Sequence, residues 1–286
     1  MAMTKFIPTI WDEKIYREKV AKDIFAQDCN RKYEGKVAEK GDSVKILGVK
    51  PVTIHSLAKG NRNGAITGAE DVMDDSVIMH INQIAYYNVS FNDFDKKEAI
   101  DGVTDAVKKS AGEQLANTTD KYIADLAKDG LANKLTIGDA ISGQTAVSES
   151  NVLKYIDAGI QKLYEHNVAD STKITLTVSP KFYFILKRAY AQLDTNNHEL
   201  LKNGVVGMYG KVIVKMSNNV AKATESGTDY EFMMLRTDEA IAYVESDVHS
   251  EALRSTTKFA DEVRGYILYD AQIVRPDEMV VLKATY

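Results

Sequence analysis

The stretch Asp95–Gly130, DKKEAIDGVTDAVKKSAGEQLANTTDKYIADLAKDG, reads as one helix. At about 1.5 Å per residue it would be on the order of 50 Å long. Asp95 and Glu98 have capping-box spacing, and Gly130 follows Lys128 where a left-handed C-terminal stop belongs. Between them a stripe of apolar and small residues, Ile100, Val103, Val107, Ala111, Leu115, Thr118, Tyr122 and Leu126, steps by three or four. Lys108, Lys109, Asp120, Lys121 and Asp125 fall mostly on other faces. The stripe is thin, which suits a strut lying across a sheet better than a helix buried all round. Gly102 and Gly112 each cost about 1 kcal/mol relative to Ala in a helix interior, so a bend is expected there.

On the N-terminal side, Val77 to Phe91 alternates with period two. Val77, Met79, Ile81, Gln83, Ala85, Tyr87, Val89 and Phe91 share one face of a strand, which at about 3.3 Å per residue exceeds the usual length. Such a strand is expected to leave its own core as one arm of a hairpin, partnered by Ser43–Ile54. The glycine-rich tip, Lys59–Gly64, would be mobile in free subunits and ordered on assembly. Further upstream, an extended leader to Pro8 precedes a helix with an imperfect stripe of Ile10, Trp11, Ile15, Val20, Ile24 and Phe25.

On the C-terminal side, Leu135–Ser150 reads as polar linker and Asn151–Glu165 as helix. Ile174–Val178 reads as strand, with Pro180 opening a helix through Tyr190, as suits a first-turn proline. Strands are expected at Lys211–Met216, Phe232–Leu235 and Ala240–Val244, and long strands over residues 261–285 broken at Arg275-Pro276. This alternation describes an α/β unit over 150–245.

The 286 residues carry a formal net charge of −5 with both signs interspersed, so no basic patch advertises nucleic-acid binding. No apolar run approaches a membrane-spanning length, and the N-terminus lacks a signal core, so neither membrane nor secretion is expected. The single cysteine, Cys29, forbids an internal disulfide and reads as a structural thiol, although Arg31 and Lys32 stand beside it. His55, His80, His166, His198 and His249 lack metal-ligand spacing, and no phosphate loop, nucleophile elbow or HExxH is present. No catalytic, cofactor-binding or metal residue is therefore assigned. Lys96-Lys97 and Lys108-Lys109 alternate with acids and read as solvated faces.

The order of elements resembles the major capsid proteins of tailed bacteriophages, whose fold is shared with herpesviruses and encapsulins. The likeness rests on Asn30, Tyr33-Glu34-Gly35, Gly41-Asp42-Ser43-Val44 and Ile46 leading into an extended loop. It rests also on Asp120, Tyr122, Ile123 and Leu126 ending a spine helix, and on Val178-Ser179-Pro180 with Tyr183 and Leu186 at an apical strand-to-helix turn. Gly265, Tyr269, Ala271, Val274, Arg275-Pro276 and Val280 match closing peripheral strands.

The resemblance implies an α+β fold in four parts. These are an N-terminal arm (1–35), an extended β-hairpin loop (36–91), a peripheral domain with the spine helix (92–134 with 255–286) and an α/β apical domain (135–254). It implies no enzymatic activity and no cofactor, but self-assembly through hexamers and pentamers into an icosahedral shell around double-stranded DNA, the virion capsid assembled in the host cytoplasm. Implied partners are a portal protein, packaged DNA in loose contact against a weakly charged or acidic inner wall, and a scaffolding protein. The scaffolding protein is expected to be separate, or the start already processed, because the chain begins almost at the arm. Trp11, Lys59, Asn61, Arg62 and Asn63 are the candidate inter-subunit contacts. The alternatives are an encapsulin-like nanocompartment shell and, remotely, a cytoplasmic α/β enzyme.

Overall fold

The computed structural model describes residues 6–32, 43–46, 77–92, 103–168, 172–191, 207–246 and 248–286. The hairpin tip with Lys59–Gly64, and the start of the expected spine helix at 95–102, lie outside the described residues.

The alternating stretch forms two strands rather than one. β1 (Ser43–Ile46) pairs antiparallel with β2 (Val77–His80), whereas β3 (Gln83–Asn92) pairs antiparallel with β12 (Ala260–Ile273). At Ile81-Asn82 the chain passes from one ladder to the other, and the freed Asn82 N–H donates to Asp270 Oδ2 at 3.2 Å. The expected facing survives this break. From Val77 to Phe91 every odd-numbered residue is buried or half-buried and every even-numbered one is exposed. Met79 and Ile81 join Val44, Ile46, Ala242, Val244 and Leu268 in a small separate core that seats the base of the hairpin on the sheet.

β12 is the axis of that four-stranded sheet. β3 runs along one edge, while β11 (His249–Arg254) and then β10 (Ile241–Glu245) share the other. HSEALR does not predict β11, because it offers no apolar alternation, only Ala252 next to an exposed Leu253 among polar residues. A larger sheet is centred on β9 (Thr228–Thr237). β13 (Met279–Ala284) pairs with one edge of β9, and β5 (Ile174–Val178) and β8 (Ala221–Glu225) share the other. β4 (Asn133–Thr136) adds parallel to β13, and β7 (Val212–Met216) parallel to β5, with β6 (Met208–Tyr209) at the end. Sheet membership therefore cuts across the four-part division. β10 and β11 pair with β12, and β13 belongs with β9.

Residues 135–150 are not simply linker. Leu135 and Ile137 are buried, and a capping box between Thr136 and Asp139 starts a single helical turn, Ile137–Ala140. The helix Val152–Glu165 lays Val152, Tyr155, Ile156 and Leu163 on the larger sheet. It comes so close that a Cβ on Gly159 would stand 3.0 Å from Leu282 Cδ2. Pro180 opens the helix Pro180–Ala191 as read from the sequence, with Ser179 Oγ accepting from the Phe182 N–H.

The spine helix spans Val103–Asp125 and tightens into a 3₁₀ turn, Leu126–Lys128. It is more enclosed than its apolar stripe implies. Ala111 and Leu115 are buried as expected, but so are Lys108, Gly112, Ala116, Thr119, Asp120, Ile123 and Ala124, while Thr118 is exposed. The reason is a second helix. The arm helix Phe6–Lys22 crosses the spine at Gly112, where a Cβ would stand 2.8 Å from the Ile15 carbonyl oxygen and 2.9 Å from Glu18 Cβ. Two backbones meet, and only glycine leaves the room. The arm helix begins before Pro8, not after it, since the first-turn N–H groups have no partner to lose.

Leu115→Ala is expected to lower stability by about 2–5 kcal/mol in urea unfolding. Thr118→Ala, one turn along the expected stripe, should stay within about 0.5 kcal/mol. Equal effects would mean that the buried face is misassigned.

Candidate functional site

Polar side chains from six separate parts of the chain converge where the arm meets the body. Asp120, on the spine helix and 1% exposed, lies opposite the end of the arm helix. Its Oδ2 accepts from the Ile24 N–H at 2.9 Å, and its Oδ1 from the N–H groups of Phe25 at 3.0 Å and Ala26 at 3.2 Å. Three consecutive amides thus converge on one carboxylate, an anion nest that fixes where the arm turns. Burial raises the Asp120 pKa, while these amides and Lys19 work against the rise.

One turn earlier in the arm, Lys19 is fully buried. Its Nζ donates to Asp23 Oδ2 at 3.0 Å and to Glu245 Oε2 at 2.6 Å. Glu245, on β10, also accepts from Arg31 and from the Tyr243 hydroxyl at 2.6 Å. Burial alone would raise its pKa, but Lys19 and Arg31 hold it below the usual range. Two cations and two carboxylates closing on one another is the condition under which buried charge is tolerated.

Beyond the arm helix, the turn Ala26–Asp28 rests on Arg236 of β9, itself buried. Arg236 donates to the Asp28 carbonyl at 2.5 Å and the Phe25 carbonyl at 2.8 Å. The Asp28 carboxylate takes Lys173 at 2.8 Å and Lys215 at 2.6 Å. Burial opposes its ionisation, but the two lysines lower its pKa below the ordinary value. Asn30 then adds a parallel bridge to Ala242 at the edge of β10. Cys29 sits within this contact with Arg236 Nη1 3.4 Å from its sulfur, and burial pushes its pKa up, so it is a structural thiol. The arm is therefore fastened to both sheets and to the spine, largely through charge and backbone groups.

A second node ties the spine helix to the hairpin. Asp270 accepts the Asn82 N–H and, at 2.9 Å, the Tyr122 hydroxyl. Tyr122 stands edge-on to Tyr269 with ring centroids 5.4 Å apart. Burial and the Asp270 carboxylate both raise the Tyr122 pKa, so its hydroxyl remains a donor. On the same sheet Tyr87 reaches across β12 to Ser250 of β11, their hydroxyls 2.5 Å apart. A Cβ on Gly265 would lie 2.6 Å from the Tyr87 oxygen, which explains glycine in the middle of β12. The opposite face of the sheet leaves Ile84, Tyr86 and Tyr266 exposed, Tyr86 by 78%.

Of the candidate contacts, Trp11 lies within the arm helix, while Lys59, Asn61, Arg62 and Asn63 fall outside the described residues. Among the described residues no group of three or more His, Cys, Asp or Glu side chains is placed to hold a metal ion. Two burials escaped sequence reading. Lys108 and Asp120 lie off the apolar stripe, and an acid on a helix carries no sign of amide donors about a hundred residues away.

No family model and no curated protein matches the sequence. Comparison of folds is more informative. A structure from Mycobacterium phage Che8 superposes with a TM-score of 0.71 over 91% of this chain and 90% of that one, at 24% identity. A chain of the capsid of Cyanophage P-SCSP1u gives 0.69 over 92% and 88%, at 16% identity. The mature capsid of bacteriophage PhiM1 gives 0.64 over 92% and 87%, at 17% identity. Coverage this high in both directions makes the likeness one of whole chains, not of a shared module. The chain has the fold of phage capsid chains, the α+β architecture that its sequence resembles.

Asp120→Ala, which strips three backbone donors of a charged acceptor, is expected to cost about 3 kcal/mol or more in urea unfolding. Glu113→Ala, which removes the exposed ion pair with Lys22 on the same helix crossing, should cost less than about 1 kcal/mol. Equal losses would show that the carboxylate does not hold the arm.

Proposed function

We propose that this chain is the major capsid protein of a tailed bacteriophage, assembling through hexamers and pentamers into the icosahedral shell around double-stranded DNA. The observation that carries this reading is the fold likeness to phage capsid chains over more than nine-tenths of this chain. The division into arm (1–35), extended loop (36–91), peripheral domain (92–134 with 255–286) and apical domain (135–254) belongs to the same proposal. So do a virion location, assembly in the host cytoplasm, a separate scaffolding protein, a portal protein and loose contact with DNA. In this reading the chain is structural rather than enzymatic, and Trp11, Lys59, Asn61, Arg62 and Asn63 meet neighbouring subunits.

The test is electron microscopy of the purified chain, alone and with a candidate scaffolding protein, together with mass spectrometry of what co-purifies. Closed icosahedral shells, empty or scaffold-filled, are expected. Shells loaded with a cargo enzyme would replace the proposal with a nanocompartment, and small uniform particles under every condition would end it.

A further inference from the structure

We propose that the buried Lys19–Asp23–Glu245 cluster is a proton-linked latch for the arm helix, tightest in mild acid and looser at neutral pH. The inference stands on the arm's own contacts and does not rest on the shell reading. Three elements face Asp23 with charge. Lys19 does so from its own helix, Asp120 from the spine, and Glu245 from β10, where Glu245 is joined by the Tyr243 hydroxyl and by Arg31. With every group ionised, two cations stand against three carboxylates in a pocket where the side chains of Lys19 and Asp23 are 0% exposed and that of Glu245 is 3% exposed.

The hydrogen bonds show which carboxylate is left short. Asp120 has three backbone amides. Glu245 has Lys19, Arg31 and Tyr243. Asp23 has Lys19 alone among the described residues, and shares it with Glu245. An uncompensated buried carboxylate takes up a proton rather than remain charged.

Burial, opposed by Lys19 and reinforced by the negative charge of Glu245 and Asp120, pushes the Asp23 pKa from 3.8 up to about 6. The docked arm therefore binds this proton more tightly than an undocked, solvated arm. The gain is complete below the undocked value and disappears as pH rises through the docked one. Glu245 acts in the opposite sense. Its pKa is held below 4.5, so its protonation in stronger acid removes a partner of Lys19. Together the two groups place tightest docking at about pH 4.5, with the Asp23 contribution falling away as pH rises toward 6.

The experiment is hydrogen exchange on the full chain, following amides of residues 13–32 at several pH values and correcting for intrinsic exchange with an unstructured peptide. Protection of the arm is expected to rise about tenfold from pH 7.5 to 5, the change implied by such a shift. Asp23→Asn, neutral throughout, should abolish that rise, while Glu113→Gln at the exposed Lys22 pair should retain it. A flat wild-type profile, or the same rise in Asp23→Asn, overturns the proposal. Should Asp23→Asn fail to fold, carboxyl carbon NMR of the wild type decides. An aspartate titrating near pH 6 is required, and its absence is fatal.

Discussion

The fold depends on one close approach, the crossing of the arm helix over the spine at Gly112. A Cβ at that position would collide with the backbone of Ile15 and the Cβ of Glu18, so the two helices meet nearer than side chains ordinarily allow. Because they do, the arm descends far enough for its last turn to reach Asp120, and Lys19 far enough to reach Glu245. A spine with alanine at 112 gains about 1 kcal/mol of helix propensity and loses the crossing. The glycine that looks like a helical weakness in the sequence is what the arm docks against.

The consequence is a spine helix held on two sides by different means. Toward β3 the contact is apolar, through Ala111 and Leu115. Toward the arm it is backbone and charge, which makes this contact orientation-specific and sensitive to proton concentration in a way that the first is not. Asp270 adds a third constraint by joining Tyr122 to the chain crossing at Asn82, where the hairpin base leaves the sheet. Arm, spine and hairpin base therefore share a short path of fixed hydrogen bonds. Such a path sets the directions of the arm and of the hairpin base from one rigid helix.

Much of this was legible in the sequence because it is local. The period-two pattern from Val77 to Phe91 assigned every residue to its face, even though the strand breaks at Ile81-Asn82. That break follows from which ladder each half joins, and residue periodicity is blind to partners. The turn at Val178-Ser179-Pro180 and the interruption at Arg275-Pro276 were readable for the same local reason, since proline fixes what can follow. The arm dock was not readable. Its bonds join residues about 95 to 230 positions apart, such as Ile24 to Asp120 and Lys19 to Glu245, and each of these charged residues taken alone fits a solvated face. β11 escaped because it lacks alternation, and β13 joined the larger sheet because strand order is decided by packing. Lys59, Asn61, Arg62 and Asn63 lie outside the described residues, so as contact candidates they rest on the sequence resemblance.

The account's central claim is that the arm completes the burial of the spine helix. The direct test compares backbone hydrogen exchange along the spine in the full chain and in a chain lacking residues 1–32. If the claim holds, amides from Gly112 to Ala124 lose protection by orders of magnitude in the shortened chain, while those of β9 and β13 keep theirs. Spine amides equally protected in both chains would contradict it, and would mean that the sheet alone holds the helix.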